Sequence, residues 1–267
     1  MVPLTFAELL DSLSVPRGGT LYVQSSTDWI GKAGFEVPHT LETLREWVQP
    51  SGTLVMPSYP FRVTHLEYLS SRPRYDVRRT PAMIGLIPEL FRRSDRVERS
   101  LDPDFSIAAE GASAARIVDT DLRDPDPFGR ASVYERLLAD GATLVGLGVS
   151  LNTNSFIHVI DSRMDGAYRR SPYGAMFDVD VVDREGVERS VSRRSLVPEF
   201  QRLTKPSAVA SAIGESTAAF ASRTVNGAIF FRWDLRLWSR WCDDHARAAI
   251  AAGRWPCWLS LLDTASA

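Results

Sequence analysis

The stretch "NTNSFIHVID", Asn152 to Asp161, carries a serine, a histidine and an aspartate at regular spacing, directly after the hydrophobic run "ATLVGLGV". Core packing does not require such a pattern; a proton-transfer site is one reading of it. If the chain is helical from Phe156, then Ser155, His158 and Asp161 stand at i, i+3 and i+6, on or near one face. Asp161 can accept a hydrogen bond from one ring nitrogen of His158, which fixes the tautomer and stabilises the imidazolium. The other nitrogen is free to take a proton from an incoming nucleophile. Ser155, or N–H groups at the helix start, can face developing negative charge. The plain alternative is a surface or capping histidine beside an exposed aspartate.

Other polar clusters carry weaker signals. Ser25 and Ser26 end the run "TLYVQSS", where they suit either a phosphate or hydroxyl contact or an ordinary loop start. "RRTPAMIG" sets Arg78, Arg79 and Thr80 before Pro81, an anion site if a helix starts there, or simple capping by Thr80. Ser106 opens a short strand in "RSLDPDFSIAAEG", and "DPFGRAS" forms a turn before a helix. No GxGxxG, P-loop, GxSxG, HExxH or CxxC pattern occurs, and "GLGVSLNTN" lacks the third glycine of a dinucleotide fingerprint. The two cysteines, Cys242 and Cys257, match no zinc spacing and read as reduced thiols.

A net charge of -2 argues against a broad basic surface for nucleic acid. The N-terminal "MVPLTFAELLDSL" has no basic segment before an apolar core, so no signal peptide is expected. No apolar run approaches the roughly 18 residues of a membrane helix, and a cytoplasmic protein without membrane contact is expected.

The elements that must position these residues are legible in outline. "TFAELLDSLSV" reads as a helix with a Thr5–Glu8 capping box. Strands are expected at 20–26, within 51–59, at 105–111 and at 142–149. Helices are expected at 40–48, from Pro81 at N1 to about Ser94, and at 132–141, stopped by Gly141. Residues 60–80 read as a long irregular loop. Alternation on either side of Glu185-Gly186 suggests a hairpin. In the tail, Ile229, Trp233, Leu237 and Trp241 recur every four residues as a helical stripe, expected as a strand and helix packed on the body, with a homodimer contact or a cleft wall as alternatives. The order predicts an α/β fold: a layered sandwich with a central mixed β-sheet flanked by helices, plus a C-terminal hairpin and helical elaboration. Strands ending in small polar residues bring those residues to the crevice where open α/β sheets bind ligands.

Taken in order, "LYVQSS", "PSGTLVMPSY", "RTPAMIGLIPELFRR", "RSLDPDFSIAAEG", "DPFGRASVYERLL", "TLVGLGV" and "NSFIHVID" resemble the aminoglycoside 3-N-acetyltransferase family, over about residues 20 to 161. The resemblance implies one domain over 1–267, with 160–267 divergent, that transfers an acetyl group from acetyl-CoA to an amine without a metal. The family pattern Asn-Thr-x-x-His-x-x-Glu reads here from Asn154 to Asp161. It implies that His158 is the general base, that Asp161 stands where a glutamate orients it, and that Ser155 stands where a threonine lies near the thioester. It also implies that Ser25, Ser26, Arg78, Thr80 and Pro81 hold coenzyme A, with Ser58 and Ser106 lining the same channel. Asp102 stands where the family has histidine, a change that bears on the acceptor or on catalysis.

Within that resemblance the acceptor is a small-molecule amine, an amino sugar or an aminoglycoside-like compound. Asp102, Asp104, Asp161 and Asp165 are the candidate acidic groups for a polycation. The arginines at 72, 74, 78 and 79 fit an anionic or nucleotide-linked amino sugar equally well. Two readings of other classes compete. One is a coenzyme A-binding protein with lapsed activity, motivated by Asp102 and Asp161. The other is a hydrolase using His158 and Ser155, which lacks a nucleophile elbow.

Overall fold

The computed structural model describes residues 4–214 and 218–262. Among the described residues, ten strands form two sheets. The strands are β1 (Thr20–Ser25), β2 (Thr53–Pro57), β3 (Arg74–Asp76), β4 (Glu98–Arg99) and β5 (Ile107–Gly111), then β6 (Thr143–Leu147), β7 (Tyr173–Val182), β8 (Glu188–Leu196), β9 (Phe220–Val225) and β10 (Ala228–Asp234). The larger sheet runs β4-β5-β2-β1-β6-β10-β9. Its centre is parallel, with β1 between β2 and β6, and antiparallel strands complete both sides. It is the mixed sheet that the order of elements predicts.

Alternation along β1 feeds two cores. Tyr22 packs on one face with Val55, Leu144 and Trp233, and helices Val133–Asp140, Ile157–Arg163 and Leu235–Ala251 cover that face. Leu21 and Val23 pack on the other with Met56 and Val145, under helices Phe6–Ser12, Val37–Val48 and Leu86–Arg92. Strands buried on both faces read as continuous apolar runs, which is why β2 and β6 stand out in the sequence. Gly146 has a packing reason: a Cβ there would lie 2.2 Å from the ring of Phe231, its cross-strand partner on β10.

The second sheet, β3-β7-β8, is the predicted hairpin with one added strand. Its turn carries Gly186 at φ 84°, a left-handed conformation that glycine adopts without strain. Tyr75, Val179, Val181 and Val191 form a separate small core with Tyr68 and Leu69.

Three expectations need correction. Residues 60–80 are not a loop throughout: helix His65–Ser70 starts at Thr64 with a capping box to Glu67, and β3 follows. The helix expected from Pro81 begins only at Leu86. Before it the backbone is tied elsewhere, Met83 N–H donating to the Tyr59 carbonyl (2.8 Å) and Ala82 N–H to Glu89 (2.7 Å). The four-residue stripe in the tail is not one helix face. Ile229 and Trp233 lie on β10, Leu237 and Trp241 on the following helix, and Asp234 caps the junction by accepting from the Leu237 N–H (2.9 Å). Trp233 is buried in the main core, whereas Ile229 and Leu237 are exposed. Both cysteines are free thiols. Among the described residues no helix is long and apolar enough to cross a membrane, and no cluster of three or more His, Cys, Asp or Glu is placed to hold a metal.

Candidate active site

Because β1, β2 and β6 are parallel, their carboxyl ends open on the same side of the sheet, where open α/β folds bind ligands. A cleft of about 470 Å³ lies there. Gln24 and Ser25 from the end of β1, Tyr59 after β2, Met83 to Gly85, and Thr153 and Ser155 after β6 line it. Gln24 locks two of these segments together, donating to the Thr153 carbonyl (2.6 Å) and accepting from the Thr153 hydroxyl (3.0 Å).

Asn154 then turns the chain into the helix. Its buried side chain accepts from the Phe156 N–H (3.1 Å), which satisfies a donor that the helix start leaves open. The helix runs Ile157–Arg163, as the sequence predicts. Phe156, Ile157, Val159 and Ile160 are buried, whereas His158 keeps its side chain 16% exposed and lies outside the residues that line the cleft.

The serine is poised by tyrosines. Tyr134 donates to the Tyr59 hydroxyl (2.7 Å), and Tyr59 donates to Ser155 Oγ (3.0 Å). The Tyr22 hydroxyl lies 3.1 Å from that of Tyr59. Burial raises the pKa of all three phenols, so they remain protonated donors at neutral pH. With its oxygen already accepting from Tyr59, Ser155 keeps its own proton for an acceptor. The internal one, the Thr153 carbonyl, is 3.4 Å away, near the limit of a hydrogen bond. Tyr59 and Tyr134 were not singled out in the sequence, although "VMPSY" placed a hydroxyl at this strand end.

Asp161 is 1% exposed. Its Oδ1 accepts from the Tyr168 hydroxyl (3.0 Å) and from the Trp258 indole N–H (2.9 Å). Its Oδ2 has no hydrogen-bond partner among the described residues and faces His158 Nδ1 at 3.6 Å. That distance is an ion-pair contact but longer than a hydrogen bond. The carboxylate is held from behind, and the side chain is one methylene shorter than glutamate. The His158 ring lies 5.2 Å from that of Phe128.

The other predicted residues separate into groups. Ser25 lines the cleft, and its hydroxyl has no hydrogen-bond partner among the described residues. Ser26 stands at the N-cap of helix Thr27–Ala33, makes no side-chain cap and does not line the cleft. Ser58 and Ser106 are fully buried, 3.0 Å apart, under the Arg99 guanidinium, and line no channel. Thr80 accepts from the Asp76 N–H (2.8 Å), so it closes a turn rather than capping a helix. Arg78 and Pro81 line a different cleft.

Three of the four aspartates expected as an acidic surface, Asp102, Asp104 and Asp161, are internal. Asp102 is buried against Arg193 and accepts from Thr120 (3.3 Å). Burial pushes its carboxyl up to about 6, against the pull of Arg193. Asp104 accepts from His65 Nε2 (3.1 Å) and from the Phe105 N–H (2.8 Å). Burial acts to raise Asp104, but Arg193 and His65 outweigh it and hold the carboxyl at about 2. His65 Nδ1 accepts from the Leu196 N–H (3.0 Å), which fixes the Nε2–H tautomer that donates to Asp104. Asp165 lies 3.8 Å from Arg194. Asp102 is therefore part of a buried charge cluster that ties β8 to the chain before β5, outside the cleft lining.

A mixed seven-stranded sheet, with a cleft at its parallel carboxyl ends and a histidine–aspartate pair on the helix that follows β6, defines the class. The chain belongs to the aminoglycoside 3-N-acetyltransferase family, whose sequence model matches residues 22–227, well past the segment where the resemblance is legible by eye. A curated relative, aminoglycoside N(3)-acetyltransferase IV of Salmonella sp, is 32% identical over 166 residues, 61% of this chain and 58% of its own. The match thus spans less than two thirds of that relative's length. The solved structure of aminoglycoside acetyltransferase AAC(3)-IVa, as apoenzyme, shares the fold with a TM-score of 0.69 at 22% identity, over 98% of each chain. That of AAC-IIIb, a binary complex with CoASH, superposes with a TM-score of 0.67 at 18% identity, over 90% of this chain and 95% of its own.

Proposed function

We propose that this protein transfers the acetyl group of acetyl-CoA to a primary amine of an amino sugar or aminoglycoside-like acceptor. The observation that carries this reading is Ser155 on the lining of a cleft built by three parallel strand ends, with the His158–Asp161 pair starting one helical turn further along the same segment. The family supports the reaction class, and the CoASH complex of AAC-IIIb supports the donor.

In this reading the thioester arm of the donor lies along Ser25, Gly85 and Thr153. His158 Nε2 takes a proton from the acceptor nitrogen as that nitrogen attacks the thioester carbonyl. Ser155 donates to the oxyanion. When the tetrahedral intermediate collapses, the carbon–sulfur bond breaks, and the imidazolium returns its proton to the leaving thiolate. Asp161 balances the imidazolium charge. Since Asp102, Asp104 and Asp161 are engaged internally, they supply no acidic surface for a polycation, which favours an acceptor with few amines.

A second reading, a coenzyme A-binding protein with lapsed activity, is favoured by one observation: the 3.6 Å gap between His158 and Asp161. Titration of acetyl-CoA into the protein, followed by thiol release against a panel of amino sugars and aminoglycosides, separates the two. Acceptor-dependent release that His158→Ala abolishes supports transfer. Donor binding with no release from any amine supports the second reading. Failure to bind the donor defeats both.

A further inference from the structure

A second cleft, of about 790 Å³, lies between the turn at Val77–Pro81, helix Leu86–Arg92 and the tip of the β7–β8 hairpin. Its lining carries six arginines against two carboxylates, Glu89 and Asp95, in a chain whose overall charge is -2. Ion pairs engage three of the six, Arg79, Arg92 and Arg184. Arg92 is neutralised by Glu89, to which its Nη2 donates at 2.6 Å. Arg79 and Arg184 have only distant partners, Asp76 at 3.9 Å and Glu98 at 3.8 Å. Arg78 and Arg93 are exposed, and their guanidinium groups make no ion pair or hydrogen bond among the described residues.

Arg99 is the most informative of the six. It is 5% exposed, and every acceptor around it is neutral. Its guanidinium donates to the Ser58 carbonyl (2.6 Å), Ser58 Oγ (2.8 Å), Ser106 Oγ (3.3 Å) and the Val77 and Thr80 carbonyls, with the Tyr75 ring 4.9 Å away. No carboxylate pairs with it among the described residues. A buried cation without a counter-charge is destabilising, and a cleft lined by further unpaired guanidinium groups concentrates positive potential in front of it. The planar fork of each guanidinium matches two phosphate oxygens.

We propose that this cleft is a binding site for a phosphate ester. Pro81 lines it, while Met83, Ile84 and Gly85 line the cleft beside Ser155, so one short extended segment separates the two. The ligand therefore has two chemical sources. One is the 3′-phosphate end of a coenzyme A held in the first cleft and reaching past that segment. The other is a separate phosphate ester bound beside it. Phosphate affinity does not rest on the acyl-transfer reading; only its assignment to the donor does.

The test is calorimetric titration of inorganic pyrophosphate into the wild-type protein and into the double variant Arg78→Ala, Arg93→Ala. Both side chains are exposed, so the variant keeps the core, and the Arg78→Lys, Arg93→Lys variant retains the charge as a control. The expected result is binding to wild type that weakens with salt, is at least about tenfold weaker in the alanine variant, and is partly kept in the lysine variant. No binding to wild type, or equal affinity in the alanine variant, overturns the proposal. Titration with coenzyme A and dephospho-coenzyme A then assigns the source. If the donor's 3′-phosphate occupies the cleft, the alanine variant loses affinity for coenzyme A alone, and coenzyme A displaces pyrophosphate. If the ester is separate, pyrophosphate binds alongside coenzyme A.

Discussion

His158 Nδ1 and Asp161 Oδ2 stand 3.6 Å apart, and the other oxygen of the carboxylate is pinned by Tyr168 and Trp258. The pair is close enough to share charge and too far apart for a hydrogen bond in this conformation. If His158 is the base, it is steadied by charge more than by geometry. If His158 accepts the amine proton, His158→Ala lowers the thiol-release rate by about 10²–10⁴-fold, the usual contribution of a general base. Acetyl-CoA affinity in the same variant should stay within a few-fold of wild type. Titration and rate on one preparation check both.

Trp258→Phe removes one of two donors to a buried carboxylate. It should destabilise the fold by about 1.5–3 kcal/mol, the value of a hydrogen bond to a charged group. If His158 is the base, it should also lower kcat more than the KM for acetyl-CoA, because the loosened carboxylate faces His158 and lies outside the cleft lining. A denaturant melt and steady-state kinetics read the two effects.

Ser155 tests the oxyanion assignment. Loss of one such donor lowers kcat by about 10²–10³-fold in other acyl-transfer sites, and Ser155→Ala should fall in that range. Tyr59→Phe leaves Ser155 in place but removes the hydrogen bond that orients it, so its loss should be smaller. Equal kcat in wild type and Ser155→Ala would remove the serine from the mechanism.

Asp102 is predicted to act on stability. Replacing it with alanine leaves Arg193 buried with its closest counter-charge gone, at a cost of about 3–5 kcal/mol. Asp102→His, the residue that the family pattern has at this place, should be no better, since an imidazole beside Arg193 restores no negative charge. Thermal melts of both variants decide this.

Asp104 sets the acid limb. Its carboxyl is held at about 2 against an ordinary 3.8, so the folded state binds fewer protons than the unfolded state between these values. Its contribution, on the order of 2 kcal/mol, is complete above pH 4 and lost as pH falls toward 2. Asp102, raised to about 6, acts with the opposite sign between pH 4 and 6. The measurement is the slope of unfolding free energy against pH below 4, which should flatten in Asp104→Asn.

The sequence showed the frame of the molecule more clearly than its contacts. The apolar runs of β1, β2 and β6, the Thr5–Glu8 capping box, the Gly141 helix stop and the Gly186 turn are local signals, and each lies where it was expected. The same local logic misjudged the site by one residue at a time. Successive residues at a strand end face opposite ways, so Ser58 went inward to Arg99 while Tyr59 reached the cleft. Ser26 likewise turned away while Ser25 stayed. The tail misled through a coincidence of spacing across the Asp234 boundary. Nothing local tied Trp258 to Asp161, 97 positions earlier, or Arg193 to Asp102.

The placement of β10 against β6 has a consequence for biosynthesis. The strand that leads into the His158 helix has one edge unpaired until residues 228–234 have been made, and the indole that holds Asp161 arrives later still. A ribosome adding about 5–20 residues per second leaves that edge open for several seconds. During that interval the nascent chain presents a flat apolar strand to its neighbours, a template for wrong pairing. The surroundings of Asp161 are thus completed only after residue 258, and premature termination before helix Leu235–Ala251 should yield insoluble protein rather than a weakened fold.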